Sequence, residues 1–354
     1  MGEIAKPFKV AVIGCGGIAN EHLPFLARSP LVDLVGVCDM SKATALFAQQ
    51  RFGAKGWFLD AGEMMSAAKP DVVHVLTPPQ SHAPLVSLGL NSGAHVICEK
   101  PMTATAGETA GLLALADKQG KWLIESRNLL FNDIVLKIDG LVEDGTLGEV
   151  REMDVLLSLD LNAGPFGDLN LEGPGVRLPG GAVHDFLPHL AYLFLHFAGH
   201  ANAVDGVSGA LQNLSGNARV GFDHLDALVT AGPCRGRLRI ASDLKPDMFR
   251  LIVRGTRAAI ESDFYNPFLR VQRSGDSGKM APFEQIRSGV RLANAGVGNL
   301  RDKVLQHGTY HGLPRMLETI YRALADGGPS PVAASDIVAT ADLVDRLIGL
   351  RGGR

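Results

Sequence analysis

The stretch "VAVIGCGGIA", residues 10–19, decides how the fold is read. Four apolar residues of strand type run into a cluster of glycines, and a helical pattern, "IANEHLPFLARS", follows at once. The spacing G-x-G-x-x-A falls on Gly14, Gly16 and Ala19. Glycine at Gly14 suits a tight turn. Glycine at Gly16 lets backbone approach a pyrophosphate, and a small residue at Ala19 allows close helix–sheet packing. Gly17 and Ile18 complete the turn at the helix N-terminus, where the positive end of the peptide dipoles favours an anion. Such a turn is weak on its own. Asp39 strengthens it, because it ends the next apolar run 23 residues beyond Gly16, where a carboxylate would hold ribose hydroxyls. A carboxylate also repels a 2′-phosphate, which favours NAD. Lys42 is close enough in sequence to reach a phosphate, so NADP stays open.

Outward from this turn, strand-like runs alternate with amphipathic ones up to about residue 126. "KVAVIG", "LVDLVGVCD", "DVVHVLTP", "AHVICEKP" and "KWLIES" are rich in Val and Ile and nearly continuous in apolar character. Such alternation predicts an α/β, doubly wound parallel sheet covered on both faces, the Rossmann arrangement. The pattern changes after residue 127. The helix "DIVLKIDGLVEDG" and the strand-like "EVREMDVLLSLDL" are followed by a Gly/Pro-rich stretch, Asn162–Gly181, and an apolar helix. Further strand candidates come next: "ALVTAG", "RLRIAS", "FRLIVRG", "RAAIESD" and "FLRVQR". Residues 127–354 are therefore expected to form an α+β domain on a largely antiparallel, open sheet. Its two C-terminal helices are free to pack back on residues 1–126. Ser274–Gly312 shows little periodicity and is expected to be a functional or subunit-contact loop.

Composition narrows the function classes. Of 354 residues 46% are hydrophobic and 20% charged, as in a folded two-domain protein. A formal net charge of −3 provides no general attraction to nucleic acid or anionic membrane. The basic "RGRLR" at Arg235–Arg239 alternates like a solvated strand face. The four cysteines, Cys15, Cys38, Cys98 and Cys234, show no metal-ligand spacing and read as buried thiols in a reducing compartment. No signal-type apolar region and no run of ~20 apolar residues is present. A cytoplasmic location and no membrane partner are expected.

At "VVHVLTPPQSHAPLV", "HVICEKPMT" and "GGAVHDFLPH" the sequence resembles the glucose–fructose oxidoreductase/inositol dehydrogenase (Gfo/Idh/MocA) family. The glycine turn, Asp39, Thr77–Pro78 with His82, and Glu99–Pro101 occur in its order and spacing. The resemblance implies a nicotinamide domain followed by a substrate domain whose open sheet serves oligomer contacts, hence a homodimer or homotetramer. It implies that Leu76, Thr77, Pro78, His82, Glu99 and Asn128 lie at the cofactor and that Lys100 reaches the carbinol or carbonyl of a carbohydrate-like substrate. Lys100 is otherwise a strand-end lysine paired with Glu99. The substrate-domain signature matches at Gly180, Gly181, Ala182, Val183, Asp185 and His189. It departs at Leu187, where glycine is usual, and at Tyr192, where a second acid is usual. In "NLLFND", Leu130 and Asp133 also replace the family's arginine and proline. These departures place the chain's individuality at its substrate.

Within "HDFLPHLAYL", residues 184–193, Asp185 and His189 are four apart and share a helix face. His184 and His189 lie roughly 140° apart around a helix, poor geometry for one metal ion. No metal is expected. Pro188 places the helix start close to His184, with Asp185 in the first turn and Leu187, Leu190, Leu193 and Phe194 as the packing stripe. His184, His196 and His200 read as packing or surface residues. The chemistry implied is hydride transfer at a secondary carbinol. His189 would take the proton, Asp185 would orient it and Lys100 would polarise the oxygen, or Lys100 would carry the proton itself. An NAD-dependent glycoside cleavage without net redox change and a non-catalytic NAD sensor are the alternatives.

Overall fold

The computed structural model describes residues 6–161, 177–199, 204–273, 278–304 and 312–352. The chain divides into two units, Met1–Asn128 with Gly312–Ala341, and Leu129–His311 with Asp342–Arg354.

In the first unit, six strands form one parallel sheet in the order β3-β2-β1-β4-β5-β6. They are β1 (Phe8–Ile13), β2 (Val32–Cys38), β3 (Trp57–Phe58), β4 (Val72–Val75), β5 (His95–Cys98) and β6 (Leu123–Glu125). Strand order reverses between β1 and β4, which opens a crevice at their carboxyl ends. Five helices alternate with the strands: α1 (Ala19–Leu26), α2 (Lys42–Phe52), α3 (Ala61–Ala68), α4 (His82–Asn91) and α5 (Ala106–Lys118). Side chains cap several of them. Ser41, Asp60 and Thr105 accept the N–H groups of Thr44, Glu63 and Glu108, satisfying donors that a helix start leaves open. The short β3 and α3, with only two and eight residues, are absent from the sequence reading.

The second unit is built on a seven-stranded sheet ordered β13-β12-β11-β7-β10-β9-β8. Its strands are β7 (Val150–Ser158), β8 (Val204–Gln212), β9 (His224–Ala231), β10 (Cys234–Ala241), β11 (Met248–Gly255), β12 (Ala258–Asp263) and β13 (Phe268–Arg273). All neighbours are antiparallel except β7 and β10. Alternating burial along β9 to β11 gives one wet face and one dry face. Arg235 and Arg237 of "RGRLR" are exposed while Gly236 and Leu238 are buried, so that basic run is a solvated strand face.

Helix α6 (Asp133–Glu143), capped by Asn132, and helix α7 (Leu187–Ala198) contribute apolar side chains to the core of this unit. A Cβ at Gly236 of β10 would lie 2.5 Å from the Phe194 ring of α7, so glycine there sets how closely helix and sheet approach. Strand β8 escapes a sequence reading because Gly206 and Gly209 dilute its apolar pattern.

Two expectations are corrected. Ser274–Gly312 is not one long loop: Ala281–Val304 forms a 24-residue helix, α8. Glycines at 289, 296 and 298 mask its period in composition, yet its backbone stays helical. The α-helix of the "HDFLPHLAYL" stretch starts at Leu187 rather than near His184, with Pro188 in its first turn. Asp185 closes a preceding 3-10 turn, Gly181–Asp185. Proline lacks the N–H and fits the first turn, which draws the helix start to it. Helices α9 (Leu313–Ala325) and α10 (Ala334–Ile348) complete the chain. The readings placed on residues 162–176, 274–277, 305–311 and His200 lie outside the described residues.

Candidate functional site

The carboxyl ends of β1, β2, β4 and β5 assemble most of the residues singled out in the first unit. Gly14 follows β1 with φ +92°, and its N–H donates to Cys38 O at 2.8 Å. A Cβ at this position would meet the Leu76 backbone at 2.8 Å and Thr77 Cγ2 at 2.9 Å, so only glycine lets the β1 and β4 ends meet. Gly16 and Gly17 are exposed with open space beside them. Ile18 precedes α1 and offers no side-chain cap, whereas α2, α3 and α5 are capped by their own residues. The first N–H groups of α1 close back on the turn, Ala19 to Gly16 O at 3.2 Å and Asn20 to Gly17 O at 3.1 Å, so no side chain covers the positive end of its dipole. Ala19 is buried against the sheet.

Asp39 is anchored to this turn from the next strand. Its Oδ2 accepts Cys15 N–H at 2.9 Å and its Oδ1 accepts Ser41 N–H at 2.8 Å. An uncapped helix start, an open glycine surface and a fixed strand-end carboxylate together fit the pyrophosphate and ribose of a dinucleotide. Thr77 is partly exposed and Pro78 exposed beyond β4, and Ser81 Oγ donates to Thr77 Oγ1 at 2.7 Å. His82 is fully buried. Its Nε2 lies 2.7 Å from Thr77 O and its Nδ1 2.9 Å from Pro101 O, so it staples the segments after β4 and β5. Burial pushes its pKa down, against the pull of those carbonyls. Asn128 is buried at the start of a 3-10 turn, Asn128–Phe131.

Glu99 and Lys100 follow β5. Burial would raise the Glu99 carboxyl, but the His22 hydrogen bond and the His22 and Lys100 charges bring it down to about 2. Behind it runs a buried chain that sequence reasoning missed. His22 Nε2 of α1 sits 3.0 Å from Glu99 Oε1, and His22 Nδ1 sits 3.1 Å from His74 Nδ1 of β4. His74 Nε2 sits 2.8 Å from the Tyr321 hydroxyl of α9. With Glu99 ionised, His22 Nε2–H donates to it, His22 Nδ1 and His74 Nδ1 share one proton between them, and His74 Nε2 pairs with the Tyr321 hydroxyl. Burial, with His22 alongside, holds His74 well below the usual histidine range, which keeps it neutral. A second tie holds the residues after Lys100. Glu125 accepts Met102 N–H at 3.1 Å and Arg127 Nε–H at 3.2 Å, and Arg127 donates on to Asp336 O and Thr340 Oγ1 of α10. Both networks depend on residues more than 180 positions away, which no local pattern announces.

In the second unit, "GGAVHD" is fixed by its glycines. Gly181 has φ +60°, and a Cβ there would lie 2.4 Å from Val220 O. His184 is buried, its Nδ1 accepting Gly180 N–H at 3.3 Å, a packing role. Asp185 and His189 are partly exposed, while Leu187, Leu190, Leu193 and Phe194 are fully buried. His189 Nδ1 lies 2.6 Å from the hydroxyl of Tyr192, itself almost wholly buried. The tyrosine that departs from the family signature is therefore a direct partner of His189. His196 Nε2 pairs with Asp139 Oδ1 of α6 at 2.7 Å, tying two helices.

Residues 8–126 match the family model described as "Oxidoreductase family, NAD-binding Rossmann fold" (GFO_IDH_MocA). This segment, about a third of the chain, is similar to the Gfo/Idh/MocA oxidoreductases. It is 32% identical to a dTDP-3,4-didehydro-2,6-dideoxy-alpha-D-glucose 3-reductase of Streptomyces violaceoruber, over 44% of this chain and 46% of the relative. It is 31% identical to the D-glucoside 3-dehydrogenase of Escherichia coli, over 41% of this chain and 42% of the relative. The matched segment thus spans less than half the length of these curated relatives. Among solved structures, a 3-ketoreductase from Actinomadura kijaniata in complex with NADP and TDP-benzene superposes with a TM-score of 0.74 at 19% identity, covering 98% of each chain. The WlbA dehydrogenase of Bordetella pertussis, in complex with NADH and UDP-GlcNAcA, gives 0.79 at 15% identity, covering 98% of this chain and 95% of that one. Both likenesses speak to the fold alone.

Proposed function

We propose that the chain is a nicotinamide-dependent oxidoreductase acting on a secondary carbinol of a sugar-type substrate, with NAD as the coenzyme favoured over NADP. The observation that carries this reading is the gathering of the Gly14–Ala19 turn, Asp39, Thr77 and Glu99–Lys100 at the carboxyl ends of one parallel sheet. Ligands bind at that end in open α/β sheets. The names of the relatives, several of them 3-reductases or 3-dehydrogenases of hexoses, favour the C3 position of a pyranose.

The bound nicotinamide supplies the hydride acceptor or donor. The work of the protein is then to hold the dinucleotide at Gly16, Gly17, Ile18 and Asp39, and to manage one proton and one oxygen. Lys100 polarises the reacting oxygen. His189 takes the carbinol proton in the oxidising direction and returns it in the reducing one, oriented by Tyr192 and assisted by Asp185. A histidine suits this because its ordinary pKa of ~6.5 lies near neutrality. The four cysteines are free thiols, in keeping with a reducing, cytoplasmic setting. We further propose a homo-oligomer as the working form.

The test is turnover of a panel of sugars, sugar acids, cyclitols and nucleotide sugars, followed through NADH absorbance with product analysis at C3. Lys100→Ala should lower kcat by about 10²-fold or more while NAD still binds. Near-normal turnover of Lys100→Ala would sink the scheme. Glycoside cleavage without NADH accumulation would instead favour transient oxidation.

A further inference from the structure

Helix α8 carries its amphipathicity inside out. Positions Phe283, Ile286, Val290, Ala293, Val297, Leu300 and Val304 recur at alternating steps of three and four residues, the a/d spacing of a coiled-coil seam held for three heptads. All but Ala293 are large, and these six are 56–71% exposed. The opposite side of α8 is the one that meets its own domain. Glu284 is buried there, accepting from Ser288 Oγ at 3.0 Å and pairing with Arg287. Asn299 donates to Pro267 O at 3.0 Å, just before β13. Among the described residues, 16 large hydrophobic side chains are exposed, and 8 of them fall between Met280 and Val304.

The pattern and the area specify what covers this face. A 3.5-residue period matches another helix, whose side chains seat between those of the seam. Burying a Val, Leu, Ile or Phe side chain withdraws roughly 60–120 Å² from water. At the observed exposures, the six large seam side chains leave on the order of 300–400 Å² of apolar surface. That is the size of the largest patch on a typical monomer, about 300–600 Å². It is also the greater part of the apolar share of a stable interface, since ~800 Å² per partner is 56–65% apolar. Gly289 and Gly296 flank the seam and Ala293 sits at its centre, leaving room for a close approach. A two-fold pair needs a surface that complements itself, and two copies of this seam do so.

We infer that α8 is a self-association helix, its Phe283–Val304 seam packing against the same seam of a second copy of this chain. The inference rests on the homo-oligomer reading above and assigns it a surface. Light scattering coupled to size exclusion, on the full chain and on a Val290→Glu, Val297→Glu double variant, tests it. The expected result is an oligomeric wild type whose mass halves in the variant, with the far-UV circular dichroism and the NAD-induced thermal shift retained. Equal oligomeric masses would overturn the seam and leave the oligomer reading standing; a monomeric wild type would overturn both. Wild-type monomer that sediments with phosphatidylserine vesicles would overturn it in favour of a membrane surface. Since the native cysteines are all buried, a bismaleimide should cross-link Val297→Cys into dimers and leave Arg291→Cys, on the far side of α8, monomeric. Failure of that contrast would overturn the inference independently.

Discussion

The Tyr192 hydroxyl, 2.6 Å from His189 Nδ1, fixes which way the His189 ring faces. Tyr192→Phe should leave the fold intact at a loss of about 1 kcal/mol in denaturant unfolding. Turnover should fall and its pH profile should shift, because the ring loses the partner that sets its tautomer. An unchanged profile would mean that Tyr192 only packs. Tyr321→Phe is the harsher change. It removes the hydroxyl partner of His74 Nε2 in a fully buried place and should lower stability by about 1–3 kcal/mol, read as a lower urea midpoint at unchanged slope. The first of these tyrosines was legible as a departure within a helical pattern, three residues from His189. The second was not, because its partner lies 247 positions upstream and a tyrosine in an amphipathic helix reads as packing.

Among elements, α1, β4, β5 and α9 are joined by the Glu99–His22–His74–Tyr321 chain, and this gives the first unit a pH dependence of definite sign. The folded pKa of His74 is depressed. Below about 6.5 the unfolded chain binds a proton that the folded chain refuses, so stability falls as pH drops. Glu99, held down to about 2, adds a second loss as pH falls from about 4.5 towards 2. Thermal midpoints should therefore decline steadily from pH 7 to 5, and His74→Asn should flatten that slope even though it lowers the midpoint at pH 7. A parallel decline in both proteins would exclude His74 as the cause. In the second unit, Gly236→Ala drives a Cβ into the buried Phe194 ring of α7. Overpacking of this kind should destabilise by about 1–3 kcal/mol, measured by denaturant unfolding.

At the scale of the molecule, the sequence reading reached what is written locally and missed what is written at a distance. The Gly14–Ala19 turn, the apolar strands and the alternating burial of β9–β11 follow from short-range periodicity, so the parallel sheet and its largely antiparallel companion were legible. Helix α8 was not, because three glycines and an inverted polarity hide a helix whose apolar side faces away from its own domain. The sequence left the C-terminal helices free to pack back on residues 1–126, but the contacts that group α9 with residues 1–128, such as His74 to Tyr321, carry no local signal. Ligand linkage offers a check on the whole. A saturating dinucleotide, at 100 times its Kd, should stabilise the protein by about 2.7 kcal/mol, and Gly14→Ala, with no room for its Cβ, should abolish the shift. The four thiols carry one more consequence. Burial, with Asp39 and Cys38 nearby, pushes Cys15 up to about 12, and burial leads the rise of Cys38 and Cys234 to about 11 and of Cys98 well above the ordinary range. Thiolate is the form that peroxide and alkylating agents attack. The four thiols should thus be indifferent to the oxidant and glutathione levels around them, and the turn proposed to hold the dinucleotide should keep its shape through oxidative stress.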